Sequence, residues 1–276
     1  MTDSKILKYF ADYIESQLGI IYSETNYFQL EHRLKEIATQ LNLKDVNELY
    51  QFSLTYGFNG KFKALLLDLA TNNETSFFRD QAVFKVLSSL IYPEVCKLEN
   101  NQIRGHISIW SAAASSGQEV YSIAMELQQC RLLNPTLLDF KILATDISDT
   151  ILKRCENAIY SQLEVQRGLP AKMLIDYFQK ENESSWQIKP ELRKNIEFKK
   201  MNLLDPWYGH GPFQIVFCRN VLIYQSVENK KKVIEKIYHT LSPNGFLVLG
   251  AAESLFGISE QFEQLHHGNA VFYKKK

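Results

Sequence analysis

The residues best placed to do chemistry lie in a turn of small residues at 110–125, which reads Trp-Ser-Ala-Ala-Ala-Ser-Ser-Gly-Gln-Glu-Val-Tyr-Ser-Ile-Ala-Met. A β-type run with Ile107 and Ile109 precedes it. After Gly117 come an acid, Glu119, and a helical pattern. Small residues let a ligand approach the backbone, and the start of a helix offers free N–H groups. A nucleotide-like cofactor is bound in this way after the first strand of an α/β sheet, although such a turn can also occur without function.

A second candidate residue is Asp146, which ends the apolar run Phe-Lys-Ile-Leu-Ala-Thr-Asp at 140–146. An acid at the end of the second strand can accept hydrogen bonds from the ribose hydroxyls of a nucleoside. Alternatively, Asp146 could cap the helix that follows, because Asp is favoured at that position. Ser148 could serve equally well as the cap, so the pattern favours the ribose role.

Two further segments carry polar residues at places where sites form. Residues 73–80, Asn-Glu-Thr-Ser-Phe-Phe-Arg-Asp, place an arginine beside two aromatics and small polar groups, although a linker with packed Phe residues and a solvated Arg would read the same. Residues 217–224 read Phe-Cys-Arg-Asn-Val-Leu-Ile-Tyr. Arg219 and Asn220 emerge at the carboxyl end of a buried strand, where α/β proteins bind ligands. With Tyr224 four residues after Asn220, the pattern favours a ligand-binding site over a solvated arginine.

The elements that position these residues change in type along the chain. Apolar residues recur at helical spacing through the first seventy or so positions, which predicts a small bundle of four helices. From about residue 105, strand and helix patterns alternate, which predicts a mostly parallel sheet with helices on both faces. We predict a helical domain at 1–72, a linker at 73–104 and an α/β domain at 105–276, with an insertion at about 160–195.

Composition narrows the function classes. The 276 residues are 45% hydrophobic and 22% charged with a formal net charge of zero, so nothing points to nucleic acid or to an anionic membrane. No run approaches the roughly 18 apolar residues of a membrane span, and the polar start does not read as a signal peptide. Four widely spaced cysteines without a CxxC motif indicate reduced thiols of a cytoplasmic protein, with no metal site.

Taken in chain order, these segments resemble the chemotaxis receptor methyltransferases, the CheR family, over nearly the whole chain. The family patterns Asn-Glu-Thr-x-Phe-Phe-Arg-Asp and Trp-Ser-Ala-x-x-Ser-x-Gly-x-Glu-x-Tyr-Ser match residues 73–80 and 110–122. The other matches are Ala-Thr-Asp-Ile at 144–147, Arg-Gly-Leu-Pro at 167–170, Asn-Leu-Leu at 202–204, Phe-Cys-Arg-Asn-Val-x-Ile-Tyr at 217–224 and Leu-Ser-Pro-Asn-Gly-Phe-Leu-Val-Leu-Gly-Ala-Ala-Glu-Ser-Leu at 241–255. So many ordered matches are highly specific.

The resemblance implies an α/β fold: a Rossmann-like S-adenosylmethionine methyltransferase sheet with a small β insertion, preceded by an all-α N-terminal domain. The implied cofactor is S-adenosylmethionine, which leaves S-adenosylhomocysteine as product. The implied substrate is a glutamate side chain on the helical bundle of a methyl-accepting chemoreceptor, which would become a methyl ester. Neither nucleic acid nor direct membrane insertion is implied, and we expect a monomer.

The resemblance also implies roles for individual residues. Arg79 and Tyr224 are the implied catalytic residues, with Tyr224 at the point of methyl transfer. Asp146 is placed at the ribose, and Asn202 and Leu203 near the adenine. The full implied set of cofactor-binding residues is Asn73, Thr75, Arg79, Ala113, Gly117, Glu119, Asp146, Asn202, Leu203, Arg219 and Asn220.

The chemistry suits these residue types. A glutamate carboxylate is already ionised at neutral pH, so the transfer needs no general base. The protein has to align an in-line attack and to desolvate an anion. Arg79 can hold the carboxylate by a charge-assisted hydrogen bond, and Tyr224 can orient it through its hydroxyl. Because too tight a grip would quench the nucleophile, we expect Arg79 to position the substrate.

The chain departs from the family pattern at three places. Gln225 follows Tyr224 where Phe is usual, which leaves the rim of the pocket open to question. Residues 30–36, which fall in the second predicted helix, are nearly balanced in charge, whereas enteric members are basic there and dock receptor helices with that face. Residues 179–186 lack the glycine turn of members that tether to a receptor's C-terminal pentapeptide, so we expect no strong tether.

Two other functions stay open at this point. A non-catalytic member of the family would bind S-adenosylmethionine as a signalling scaffold, which the retained Arg79, Glu119, Asp146 and Tyr224 argue against. An unrelated nucleotide-dependent enzyme, such as a dinucleotide oxidoreductase, is disfavoured because the first turn lacks Gly-x-Gly-x-x-Gly.

Overall fold

The computed structural model describes residues 2–71, 74–99, 105–207 and 209–276, so the predicted site residue Asn73 lies outside the described residues. The chain begins with four helices around an apolar core that includes Phe10 and Leu34. The carboxylate of Asp3 accepts from the first turn of α1, and Gly19 ends that helix in the left-handed conformation that glycine favours. The helices are α1 Ser4–Leu18, α2 Tyr27–Gln40, α3 Val46–Tyr56 and α4 Gly60–Ala70.

Eight further helices lie in the rest of the described chain. Two short 3₁₀ turns also occur, Glu24–Asn26 and Leu222–Tyr224, and a wider turn, Leu87–Ile91, joins α5 to α6. The helices are α5 Gln81–Val86, α6 Tyr92–Glu99, α7 Gln118–Leu133, α8 Asp149–Asn157, α9 Gln162–Gln166, α10 Ala171–Tyr177, α11 Pro190–Arg193 and α12 Val227–Thr240. None of the helices in the described ranges is both long and apolar enough to cross a membrane.

In the described ranges, ten strands form two sheets. They are β1 His106–Ala112, β2 Asp139–Asp146, β3 Ile159–Ser161, β4 Phe178–Lys180, β5 Ser185–Ile188, β6 Ile196–Lys200, β7 Phe213–Cys218, β8 Leu241–Leu249, β9 Phe262–His267 and β10 Ala270–Lys275. The main sheet has the order β6-β2-β1-β7-β8-β10-β9. The pairings from β6 to β8 are parallel, and β10 pairs antiparallel with both β8 and β9. This confirms the predicted α/β sheet preceded by helices.

The small β insertion is also present. Strands β3, β5 and β4 form a separate antiparallel sheet between α8 and β6. Its apolar face packs on the main core through Tyr160 and Phe178, which both contact the ring of Phe77. The insertion is therefore anchored on the segment that carries the predicted catalytic Arg79.

One strand, β9, is not among the elements that the sequence predicted. Among the described residues it is an edge strand of the main sheet, paired antiparallel with β10 alone. An edge strand has one neighbour and little buried surface, and here only Phe262 is fully buried. Its sequence, Phe-Glu-Gln-Leu-His-His, therefore lacks the apolar run by which the central strands are recognised.

The strand order also fixes where a ligand can bind. From β1, the order runs to β2 and β6 on one side and to β7 and β8 on the other. Such a reversal leaves a crevice at the carboxyl ends of the two strands between which it occurs. Strands β1 and β7 thus open that crevice directly under the turn at 113–117 and the loop at 219–225.

Candidate active site

A cleft of about 1020 Å³, part of it open to solvent, lies at the carboxyl ends of β1, β2 and β7. Ten of the residues that the sequence predicted line it, so segments far apart in the chain meet at one place. They are Thr75, Arg79, Ala113, Glu119, Asp146, Asn202, Leu203, Arg219, Asn220 and Tyr224. Gly117 is not among the lining residues.

The turn between β1 and α7 has an unusual backbone. Ala113 and Ser115 have positive φ values of 59° and 51°, and Gly117 has 94°. Non-glycine residues adopt such angles at a cost, and they cluster at functional sites. Ala113 and Ser115 face the cleft, whereas Gly117 lies at the N-cap of α7. A Cβ on Gly117 would come within 2.8 Å of the Tyr160 hydroxyl, so Gly117 shapes the turn from behind.

Asp146 is buried at the end of β2. Its two carboxylate oxygens accept from the backbone N–H groups of Ser115 at 3.0 Å and Ser148 at 3.1 Å. The Ser148 hydroxyl, not Asp146, caps α8 by accepting from Ile151. The alternative in which Asp146 is that helix's cap is therefore wrong. Burial raises the pKa of Asp146 above its ordinary value, while the backbone donors oppose that rise.

Arg219 is the centre of a buried ion-pair cluster. Its guanidinium is 1% exposed and donates to Asp80 at 2.6 Å and to Glu119 at 3.0 Å. It also donates to the carbonyl oxygen of Arg79 at 3.0 Å. Glu119 in turn accepts from the Ser111 hydroxyl at 3.0 Å. Arg219 thereby ties β7, the start of α7 and the segment before α5 into one unit.

The segment before α5 agrees with the linker alternative in its packed Phe residues but not in a solvated Arg. Phe77 and Phe78 are buried, as a packed linker would have them, but Arg79 lines the cleft and is half-buried. The guanidinium of Arg79 donates to the carbonyl oxygen of Glu74 at 3.2 Å. Phe78 has a left-handed φ of 49°, and its N–H donates to the Ser122 hydroxyl on α7 at 2.9 Å. The backbone here is held in a strained form that presents Arg79 to the cleft.

Sequence reasoning missed the wall that the N-terminal helices contribute. Leu18 and Ile20, at the end of α1, line the cleft. The Gln225 side chain donates to the carbonyl oxygen of Leu18 at 2.8 Å, and Gln225 pairs with Ile20 in an isolated bridge. Asn202 donates to the carbonyl oxygen of Gln17 at 2.9 Å. The residue that departs from the family pattern, Gln225, therefore joins the end of α1 to the rim of the pocket.

Two buried polar atoms at the cleft lack a protein partner. Among the described residues, Nε of Arg219 and Oε1 of Gln225 are buried and make no hydrogen bond. Buried polar atoms are nearly always paired, so these two residues of the cleft wall keep unmet hydrogen-bonding capacity. Asp146 also has unused acceptor capacity, because a carboxylate offers about four lone-pair sites and backbone donors occupy at most three. Crevices at a strand-order reversal are where α/β proteins bind their ligands, nucleoside cofactors among them.

Comparison with known proteins identifies the family. A family model described as "CheR methyltransferase, SAM binding domain" matches residues 73–271. The chain is 36% identical over 269 residues to chemotaxis protein methyltransferase Cher2 of Pseudomonas putida, which covers 97% of this chain and 96% of that protein. A chemotaxis protein methyltransferase of Vibrio parahaemolyticus is 36% identical over 268 residues, with 97% and 95% covered. The chain belongs to the CheR methyltransferase family.

Membership confirms the family and the cofactor predicted from the motifs. The chain is a methyltransferase whose cofactor is S-adenosylmethionine. The cleft fits that molecule, because its sugar hydroxyls require acceptors such as Asp146 and its methionine part carries an ammonium and a carboxylate. Glu119 and the guanidinium of Arg219, which both line the cleft, are groups of the required charge.

Proposed function

We propose that this protein transfers the methyl group of S-adenosylmethionine to glutamate side chains of chemoreceptors and so forms methyl esters. The observation that carries the proposal is that Arg79 and Tyr224 line the same cleft as Asp146 and Glu119. The guanidinium of Arg79 and the phenol of Tyr224 thus lie beside the groups suited to the cofactor. A carboxylate substrate needs such groups to hold and orient it, and because it is already ionised it needs no general base.

The cofactor would be held by residues at or just beyond the carboxyl ends of β1, β2, β6 and β7, together with the segment before α5. We propose that Asp146 accepts from the ribose hydroxyls, and that Asn202 and Leu203 lie at the adenine. Glu119 retains acceptor capacity beside its bonds to Ser111 and Arg219, which suits an ammonium group. We assign Thr75, Ala113 and Asn220, together with Asn73 outside the described residues, to the same site; Gly117 acts by shaping the turn.

When bound, S-adenosylmethionine supplies an electrophilic methyl on a sulfonium, which is a good leaving group. The protein's contribution is alignment and exclusion of water. Arg79 holds the incoming carboxylate by a charge-assisted hydrogen bond, and the Tyr224 hydroxyl orients it. One of the two carboxylate oxygens must stay free to attack, so Arg79 acts by positioning and not by tight binding.

The direct test is transfer of radiolabelled methyl to membranes that carry the organism's chemoreceptors. Methyl esters release volatile methanol in alkali, whereas N-methyl and S-methyl groups do not. We expect label that is alkali-labile and absent from receptors whose modified glutamates are changed to alanine. An Asp149→Asn variant serves as control, because Asp149 is exposed and pairs only with Lys200 among the ion pairs of the described residues. Cofactor binding without methyl incorporation would instead support the scaffold function.

We propose that the insertion does not bind a receptor's C-terminal pentapeptide strongly. Strand edges bind peptides by main-chain pairing, and a glycine turn would let the backbone curve to admit one. The turn between β4 and β5 has no glycine and is closed by Glu181 donating to the carbonyl oxygen of Ser185 at 3.1 Å. The Asn182 side chain also accepts from the Ser184 N–H at 2.9 Å. A peptide with an aromatic-rich receptor tail should bind no tighter than about 1 mM in calorimetry; a micromolar constant would refute this.

We also propose weak electrostatic docking of the receptor on α2. Its charges are satisfied within the protein: Lys35 pairs with Glu31 at 3.0 Å and His32 lies 3.1 Å from Glu36. Arg33 points to the end of α4, where it donates to the carbonyl oxygen of Ala70 at 2.7 Å. We therefore expect the KM for receptor to change less than about threefold between 50 and 200 mM salt. A steep salt dependence would contradict this.

A further inference from the structure

The carboxylate of Glu253 accepts from five backbone N–H groups. Its Oε1 accepts from Val221 at 3.0 Å, Leu222 at 2.8 Å and Ile223 at 3.2 Å. Its Oε2 accepts from Asn220 at 2.7 Å and from Gly250 at 2.8 Å. Four of the five donors belong to one consecutive segment, residues 220–223, which leads directly into Tyr224.

These bonds supply acceptors to N–H groups that the turn itself leaves unpaired. The 3₁₀ turn Leu222–Tyr224 has no side-chain cap at its own start, so its first N–H groups have no acceptor within the turn. Glu253, thirty residues further along the chain, supplies the acceptor, and its charge strengthens each bond. The phenol of Tyr224 is thus carried on a turn that is anchored by another part of the chain.

The neighbouring backbone is built around this contact. Asn220 has a left-handed φ of 60°, which brings its N–H towards Glu253. A Cβ on Gly250 would lie 2.8 Å from the Glu253 carboxylate, 2.9 Å from the Asn220 nitrogen and 2.6 Å from the Asn220 side-chain amide. Gly250, Glu253 and the strained Asn220 therefore form one arrangement, which we call the Glu253 anchor.

We propose that Glu253 is a positioning residue for methyl transfer, acting through Tyr224 and Asn220. Without the anchor, the loop would lose its acceptors and the phenol would no longer be held over the reacting atoms. A displacement of the phenol by about 1 Å is enough to lower the rate of methyl transfer severely. The proposal rests on the proposed function, because it assigns Glu253 its effect through the catalytic role of Tyr224.

The test compares Glu253→Gln with the wild type in two readouts. The amide has one acceptor oxygen and turns an NH₂ towards N–H donors, so it breaks the anchor with little change of shape. Hydrogen exchange at 220–223 should become at least about tenfold faster, while β1 and β7 keep their protection. The kcat at saturating cofactor should fall at least about tenfold. Glu260→Gln, at an exposed acid nearby, should change neither readout.

A double-mutant cycle with Tyr224→Phe then separates positioning from general destabilisation. If Glu253 acts through Tyr224, Glu253→Gln should cost less than about threefold in the Tyr224→Phe background. Val233→Ala, on the buried face of α12, provides a variant of lowered Tm that should keep its kcat at 25 °C. Additive losses, or an equal loss of kcat in Val233→Ala at matched Tm, would overturn the proposal.

The two proposals can fail separately. A wild type that methylates no receptor would refute the proposed function, while unchanged exchange at 220–223 in Glu253→Gln would refute the anchor whatever the activity. If Glu253→Gln does not fold, Glu253→Asp replaces it, because the shorter side chain keeps the charge but cannot reach both ends of the segment. The same two readouts then apply.

Discussion

Replacing Asp146 should weaken the cofactor complex while the fold persists. The carboxylate is buried, and it holds the turn through Ser115 and the next loop through Ser148. If it also accepts from two ribose hydroxyls, its removal loses two charge-assisted hydrogen bonds worth at most about 1.5–3 kcal/mol each. Water entering the open cleft will restore part of this. We therefore expect Asp146→Ala and Asp146→Asn to bind S-adenosylhomocysteine at least about tenfold more weakly, which is about 1.4 kcal/mol.

Calorimetric titration with S-adenosylhomocysteine measures this loss. Asp146→Ala also leaves the N–H groups of Ser115 and Ser148 without their acceptor, so distortion of the turn must be separated from loss of ribose contacts. The analogue lacking both ribose hydroxyls makes the separation, because it should bind the wild type more weakly and lose little further in Asp146→Asn. Unchanged affinity in Asp146→Asn, or an equal analogue penalty in both proteins, would refute the ribose role. Asp149→Asn is the matched control.

The remaining predictions concern transfer, stability, pH and thiol reactivity. Arg79→Ala should lower receptor methylation about a hundredfold with little change in S-adenosylhomocysteine affinity. Arg79→Lys should restore little of that activity, because an ammonium point charge cannot replace the forked donors of the guanidinium. Near-normal turnover in Arg79→Ala would contradict this. Arg219→Met leaves Asp80 and Glu119 without their counter-charge and should lower the free energy of unfolding by about 1–3 kcal/mol in urea titration, because Asp80 is 39% exposed and only Glu119 is left largely buried. Since the pKa of Asp146 is raised, affinity for S-adenosylhomocysteine should fall as pH drops through a range above the ordinary aspartate value, and Asp146→Asn should lose this dependence. Burial raises the pKa of Cys155 to about 12, so this thiol should resist iodoacetamide at pH 8 until urea unfolds the protein; rapid alkylation of the native protein would count against its burial.

Local sequence patterns were enough to predict most of the fold. Strand and helix periodicity predicted the alternating sheet, and its central strands β1, β2 and β7 were found with their ends at or near the observed ones. These strands are buried, so their sequences carry the signal that burial imposes. The edge strand β9 is mostly exposed, and nothing in its composition separates it from a polar loop.

The candidate site was predictable to the extent that each residue lies at the carboxyl end of a recognisable strand or within a motif. Asp146 and Asn220 satisfy that condition, and both line the cleft. The wall formed by Leu18 and Ile20 does not, because these residues look like the apolar end of an ordinary helix. The bonds from Gln225 to the carbonyl oxygen of Leu18 and from Asn202 to that of Gln17 bring that wall to the site, and they join residues 207 and 185 positions apart in the chain.

The same reason explains why the roles of polar residues were harder to predict than their location. Arg219 was expected to contact the cofactor, yet two of its nitrogens donate to Asp80, Glu119 and the carbonyl oxygen of Arg79, and its Nε is buried. The loop that starts at Arg219 is held by these acids at one end and by the strand-like pairing of Gln225 with Ile20 at the other. Glu253 holds the residues between them. Each support comes from a different part of the chain, so the placement of Tyr224 depends on tertiary contacts that no local pattern encodes.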